Sequence, residues 1–287
     1  MKKILVITDS YNWATYHRGV NLKKYLPQYH FDIVAFMDIA KIDFGKYDVI
    51  YITNWPIYGY VKDKISKTRK YRLVTGVSSH IGRKSAKEMA TFFSQFDKVG
   101  VSNMFLYREF LDAKLPAIYT PFGADNEIFK KESNLNNLRQ VFGWVGTKTR
   151  PVKRFEQIKR CFDELGEGYQ FKYIDQADNL SHQKLNNFYN SVGTVICFSE
   201  SEGTPNPILE GAMCGRWIIS TPVGNVPELV GGIKNFKTVS NISDLKKSII
   251  WASQNRELES YGNMILKESM NNWTWKVRSK NFIKLFE

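Results

Sequence analysis

The stretch FSESEGTPNPILEGAMCG, residues 198–215, sets Glu200, Glu202 and Glu210 around a Gly-Thr-Pro-Asn-Pro loop. A turn needs no carboxylate, so these acids point to a ligand. Residues 194–198 read as a strand, and the loop over 199–206 lies at its carboxyl end. Pro207 suits the first turn of a helix, where its missing N–H costs nothing, and Asn206 is placed to cap it. Free N–H groups around Gly203–Ile208, at the positive end of that helix, predict an anion site. The Gly-x-x-x-x-Gly-Lys-Ser/Thr pattern of a Walker A loop is absent. Carboxylates accept hydrogen bonds from sugar hydroxyls, sometimes two at once. Glu202 in the loop and Glu210 one turn into the helix therefore predict a ligand with both phosphates and hydroxyls. The two acids would grip the two sugars of a nucleotide-sugar on opposite sides of its diphosphate.

The elements that must position this loop follow a βαβα rhythm. Apolar, β-branched runs predict strands over 4–8, 31–36, 49–53, 73–77, 98–101 and 117–120, with helices over 18–26, 85–96 and 103–112. A segment rich in Asn and charge, 121–140, reads as a linker. The rhythm then restarts with a strand over 141–145, a helix over 153–165, a strand over 170–174, a helix over 185–190, the strand over 194–198, a helix over 207–214 and a strand over 217–221. The remainder, 242–286, reads as helical. The fold class is α/β, with two Rossmann-like domains facing a cleft, because parallel sheets covered by helices bind ligands at the carboxyl ends of their strands.

With 287 residues the chain has room for two domains at ~150 residues each. Its 43% apolar and 24% charged residues are ordinary for a globular protein. No apolar run approaches the ~20 residues of a bilayer-spanning helix. The N-terminal run in MKKILVITDSYNW turns polar within a few positions and reads as a buried strand rather than a signal peptide. Cys161, Cys197 and Cys214 show no C-x-x-C spacing, which predicts a reduced, cytoplasmic protein without a structural zinc site. The net charge of +13 is uneven. Between Lys62 and Lys87 nine basic residues (Lys62, Lys64, Lys67, Arg69, Lys70, Arg72, Arg83, Lys84, Lys87) face one acid, Asp63. This segment is either a solvated face or a surface for a polyanion, nucleic acid or an anionic membrane. The aromatics Tyr11, Trp13, Tyr16, Trp55, Tyr58 and Tyr60 belong to a core or form a stacking platform for a sugar or a base.

Glu202 and Glu210, followed by Ala212-Met213-Cys214-Gly215 and IISTPVGNVPELV, resemble the donor-binding signature of glycosyltransferase family four, retaining enzymes of the GT-B architecture. IYTPFGADNEIF, FDKVGVSNMFLYREFL, FGWVGTKTRPVKRFEQIKRCF and the terminal WTWKVRSKNFIKLFE resemble further segments of that family in the same order. The resemblance implies an acceptor-binding domain over 1–130, a nucleotide-sugar-binding domain over 131–270, and a helix over 271–287 that crosses back to the first. It implies that Glu210 binds the donor ribose and Glu202 the donor sugar, with Gly203, Thr204, Pro205, Asn206, Pro207 and Ile208 contacting sugar and phosphate. Lys153 matches the lysine that neutralises the diphosphate leaving group, beside Gly146 and Thr147. The family's second cation, an arginine, aligns nearest Thr147, so Lys148 or Arg150 stands in for it. No Asp-x-Asp metal site is evident, so these cations would meet the charge that develops on phosphate. His80 matches a family histidine near the transferred sugar, which makes His80, Glu202 and Lys153 the catalytic candidates.

The acceptor side is less determined. The family's Gly-Gly turn after the first strand is replaced by Asp9-Ser10-Tyr11-Asn12-Trp13. Asp9, Tyr11, Trp13, His17, Trp55, Arg83 and Lys84 are the acceptor candidates, although Asp9 would equally tie its own turn. The expected reaction moves a sugar from a nucleoside-diphosphate sugar, a UDP- or GDP-sugar first, to a hydroxyl acceptor with retention, without cofactor or metal. Saccharide or lipid-linked saccharide acceptors at an anionic membrane face suit the resemblance; a hydroxyl-bearing modified base in DNA suits the basic segment. A nucleotide-sugar epimerase of the same fold and a non-catalytic binding relative are the readings from other classes.

Overall fold

The structure, a computed structural model, describes residues 1–11, 14–65, 70–79, 84–233, 236 and 238–287. The chain divides into two compact units, Met1–Phe122 together with Trp275–Glu287, and Gly123–Thr274.

The first unit is built on six parallel strands: β1 (Lys2–Thr8), β2 (Tyr29–Ala35), β3 (Val49–Ile52), β4 (Arg72–Val77), β5 (Lys98–Val101) and β6 (Ala117–Tyr119), in the order β2-β1-β3-β4-β5-β6. Helices α1 (Ala14–Tyr25), α2 (Tyr58–Val61), α3 (Ala90–Phe93) and α4 (Met104–Asp112) connect them. Side chains alternate along a strand, so β1 sends Leu5 and Ile7 to one core, with Leu106 and Phe110, and Ile4 and Val6 to the other. Both faces are covered, which is why β1 is apolar almost throughout.

The second unit has four parallel strands, β7 (Val141–Gly146), β8 (Gln170–Asp175), β9 (Thr194–Cys197) and β10 (Trp217–Ser220), in the order β10-β9-β7-β8. Its helices are α5 (Phe155–Leu165), α6 (His182–Asn190), α7 (Asn206–Met213), α8 (Val226–Val230), α9 (Ile242–Gln254) and α10 (Leu258–Asn272). The chain passes from β7 out to β8 and returns on the other side of β7 as β9. The crevice at the carboxyl ends of β7 and β9 is therefore the topological switch point, where open α/β sheets take ligands. Beyond Thr274 the chain forms α11 (Trp275–Arg278) and α12 (Ile283–Phe286), which bury Trp275, Leu285 and Phe286 in the first unit.

Three expected elements differ. The helix read over 85–96 is confined to α3: the Ser85 amide and hydroxyl both bond Glu88, and the Ala86 amide donates to Glu109, holding this stretch in turns. The helix read from 153 starts at Phe155, since a 3-10 turn over Pro151–Lys153 is followed by Arg154 in the left-handed region at φ 52°. Asn206 does not cap α7. Pro205 occupies the cap position and Asn206 is already helical, so that end has no side-chain cap. Among the described residues no helix is long and apolar enough to cross a membrane.

Candidate functional site

The three glutamates of the opening motif have three different partners, all within the second unit. Glu200 is exposed and accepts from Arg154 Nε at 3.0 Å, while its amide donates to the Val152 carbonyl at 2.9 Å. Those contacts tie the loop after β9 to the loop after β7. The left-handed Arg154 lets its side chain turn toward Glu200, with the guanidinium 5.3 Å from the centre of the Phe198 ring. Glu202 is paired with Lys153 Nζ at 2.5 Å, and the two side chains are only 12% and 15% exposed. A pair withdrawn this far from water is screened less than a surface pair and presents no isolated charge. Glu210 accepts from the Tyr189 hydroxyl at 2.6 Å. Burial pushes the Glu210 carboxyl up to about 7, against the opposing effect of the Tyr189 hydrogen bond.

Between Glu202 and Glu210 lies a run of unused hydrogen-bonding groups. The Thr204 and Asn206 amides have no partner among the described residues, and the Ile208 amide turns back to the Pro205 carbonyl. Thr204 Oγ1 is buried without a partner. So is Nδ2 of Asn225, a residue 1% exposed. Asn225 opens α8, yet its side chain does not cap that helix. Most buried polar groups are satisfied, so two orphans flanking one loop call for a missing partner. The turn before Asn225 is held against the loop by Gly224: at φ +55°, a Cβ there would stand 2.5 Å from the Gly203 carbonyl oxygen. Gly203 and Pro205 are buried, Asn206 and Pro207 half-buried, and Ile208 is fixed in the core beneath the loop.

Across the crevice, Gly146 ends β7 and packs on the Trp144 ring, leaving no space for a side chain. Thr147 Oγ1 donates to Gln176 Oε1 at 2.7 Å, beyond β8. Lys148 lies 3.5 Å from Asp175 and over the Tyr173 ring at 5.1 Å. Arg150 is exposed, and its guanidinium has no partner among the described residues. Of the two stand-ins for the family arginine, Arg150 is thus the uncommitted one.

In the first unit Asp9 accepts from the Ser10 amide at 2.8 Å and from the Thr15 hydroxyl, so it ties its own turn. Tyr11 donates to Asp38 at 2.8 Å. His17 is half-buried beside the Tyr16 ring. Trp55 packs edge-on against Phe92 and Phe93, which places it with the core rather than on a platform. Lys84 is exposed. Trp13, His80 and Arg83 lie outside the described residues, as do Lys67 and Arg69 of the basic segment. Two residues escaped the sequence reading. Tyr189 lies in an ordinary amphipathic helix and carries no motif, and Arg154 is one more base in a run of them.

Residues 135–255 match the family model of glycosyl transferases group 1. An uncharacterized glycosyltransferase of Methanocaldococcus jannaschii is 26% identical over 183 residues, 58% of this chain and 52% of the relative; the chain spans about half the length of that curated relative. Sucrose-phosphate synthase of Thermosynechococcus elongatus superposes with a TM-score of 0.77 at 12% identity, covering 100% of this chain and 98% of that one. HepE of Anabaena, in a complex with UDP and glucose, superposes at 0.76 with 12% identity and 99% coverage of each chain. The match to the group 1 glycosyl transferase model over 135–255 falls on the segment whose motifs resemble that family, and the fold of the chain is the GT-B type of these structures.

Proposed function

We propose that this protein is a glycosyltransferase that takes its sugar from a nucleoside-diphosphate sugar, in first place a UDP-sugar, and transfers it with retention to a hydroxyl acceptor of saccharide or lipid-linked saccharide type. The observation that carries the reading is the pattern around the loop after β9: a Lys153–Glu202 pair at one end, Glu210 at the other, and the unpartnered Thr204 and Asn206 amides between them. An ammonium has three protons, so Lys153 can keep Glu202 and still donate to a phosphate. Glu202 holds the lysine in place and offers its second oxygen to sugar hydroxyls. The amides and the uncapped end of α7 meet the remaining phosphate charge. Glu210, deeper along α7, takes the ribose. HepE, solved with UDP and with UDP-glucose, supports UDP as the nucleotide to try first.

As the glycosidic bond to phosphate breaks, negative charge grows on the leaving diphosphate. Lys153, the loop amides and Arg150 stabilise that charge more than the ground state, which is what accelerates the step. Retention follows from attack on the leaving-group face, with a diphosphate oxygen taking the acceptor's proton, so no protein nucleophile is needed. His80 is proposed beside the transferred sugar through the family resemblance. On the acceptor side, Tyr60 is 72% exposed next to the exposed Lys62 and Lys64, which suits an acceptor presented at an anionic membrane surface. The three cysteines are free and buried, in keeping with a reducing cytoplasmic setting.

Calorimetric titration of UDP-, GDP-, ADP- and dTDP-sugars into wild type and Glu210→Ala tests the reading. Tight binding of one donor, lost in the variant, is the expected result. Binding of none of them by the wild type would overturn it.

A further inference from the structure

Glu210 is held from behind by a residue that no motif identified. Tyr189 lies in the last turn of α6, is fully buried, and has its ring near those of Phe129 at 5.9 Å and Phe188 at 5.8 Å. Its hydroxyl has one proton, and that proton goes to Glu210 Oε2 at 2.6 Å. Burial and the neighbouring Glu210 push the phenol well above its usual range, so it remains a donor wherever the protein is folded. Oε1 of Glu210 has no hydrogen bond among the described residues.

We infer that Tyr189 is a positioning residue for donor binding: its hydroxyl holds the Glu210 carboxylate in the orientation, and in the accepting form, that a ribose diol requires. The inference rests on the ribose reading of Glu210. Two vicinal hydroxyls each donate one hydrogen bond, so the carboxyl group must accept both and be ionised. Burial works against that ionisation, and the Tyr189 phenol works for it. It also removes the freedom of a terminal carboxylate to swing between its two broad orientations.

The other titratable groups around α7 do not replace it. Cys214 on the same helix is a thiol pushed up to about 12, and Cys197 on β9 is pushed up by burial, so both are neutral. Glu132 accepts from Asn186 of α6 at 3.0 Å. On α10, Glu259 is paired with Lys131. Arg216, leading into β10, donates to the Cys214, Val192 and Ser133 carbonyls. None has a hydrogen bond or ion pair to Glu210 among the described residues.

The test is UDP binding by calorimetry, from about pH 5.5 to about pH 9, in wild type, Tyr189→Phe and Glu210→Gln, with melting curves as a check on folding. Wild-type affinity is expected to fall as pH drops through about 7. In Tyr189→Phe that fall should move up by roughly one pH unit or more, with affinity about tenfold weaker at neutral pH and largely recovered at alkaline pH. Glu210→Gln should bind weakly at every pH. A Tyr189→Phe profile that superposes on wild type, while Glu210→Gln is weakened, overturns the inference and leaves Tyr189 as core packing. Wild-type affinity in Glu210→Gln would instead overturn the ribose reading itself. Should Tyr189→Phe not fold, the phenol proton of the wild type is followed by NMR. It should stay hydrogen-bonded when UDP is added, and its release on binding would overturn the inference.

Discussion

Glu210→Gln should make the ligand-free protein more stable at alkaline pH, although it removes a group proposed to bind substrate. The reason is the cost of keeping a carboxylate ionised under the loop. Its carboxyl sits at about 7 in the folded protein, against 4.5 for an ordinary glutamate. Below the ordinary value both folded and unfolded chains are protonated, and the residue costs nothing. Between 4.5 and about 7 the folded chain keeps a proton that the unfolded chain has lost, so stability falls as pH rises. Above about 7 the whole cost is present. At 1.36 kcal/mol per pH unit it amounts to about 3 kcal/mol as an upper figure, and about 2 kcal/mol once the partial contact of this half-buried residue with water is allowed for. Glutamine has nearly the same shape and its carbonyl can still accept from Tyr189, so the variant removes the charge and little else. The assay is thermal or urea unfolding of both proteins at about pH 5 and about pH 8. The variant should gain several degrees at the higher pH, at roughly 2–4 °C per kcal/mol for a unit of this size, and much less at the lower. A variant no more stable than wild type at about pH 8, or one whose gain is the same at both, would refute the reasoning. On the proposed reading, the ligand-free penalty is the cost of keeping that acid ready for a sugar.

Lys153→Met strands Glu202 in a position 12% exposed. It should lose roughly 1–3 kcal/mol of stability in urea unfolding and about a hundredfold or more in turnover, with the loss in kcat larger than that in donor affinity. Gly224→Ala drives a Cβ to 2.5 Å from the Gly203 carbonyl at a positive φ. It should shift the loop and weaken UDP binding about tenfold or more in calorimetry, whereas Gly232→Ala, with open space around it, should not. Arg216→Met removes a fully buried guanidinium, whose pKa burial lowers to about 10, from the Cys214, Val192 and Ser133 carbonyls. A loss of roughly 3–5 kcal/mol in unfolding is expected, with donor affinity of the folded fraction little changed.

Much of the fold was legible because strand composition is a local signal. The ten strands were read to within a few residues, since runs such as ILVIT and WIIS have few other ways to be buried. Helix ends were less legible. Pro207 correctly marked the first turn of α7, but whether Pro205 or Asn206 takes the cap depends on where the loop must lie against Gly224. Likewise the stretch before α3 has helical composition and loses it to Glu88 and Glu109, the second of them 23 residues away from the amide it binds.

The candidate site divides along the same line. The sequence by itself singled out Glu202 and Glu210, because their type and spacing around a Gly-Pro loop are a short-range pattern, while Lys153 entered only through the family resemblance. Only the tertiary structure decided what each acid faces: Arg154 for Glu200, Lys153 for Glu202, Tyr189 for Glu210. Those partners are 46, 49 and 21 positions away along the chain. They meet because β7 and β9 are parallel neighbours and α6 packs against α7. A carboxylate's chemistry depends on what surrounds it within a few ångströms, and that surrounding is assembled by the sheet order. The residue type is written at each position; its partner and protonation state exist only once the strands are side by side.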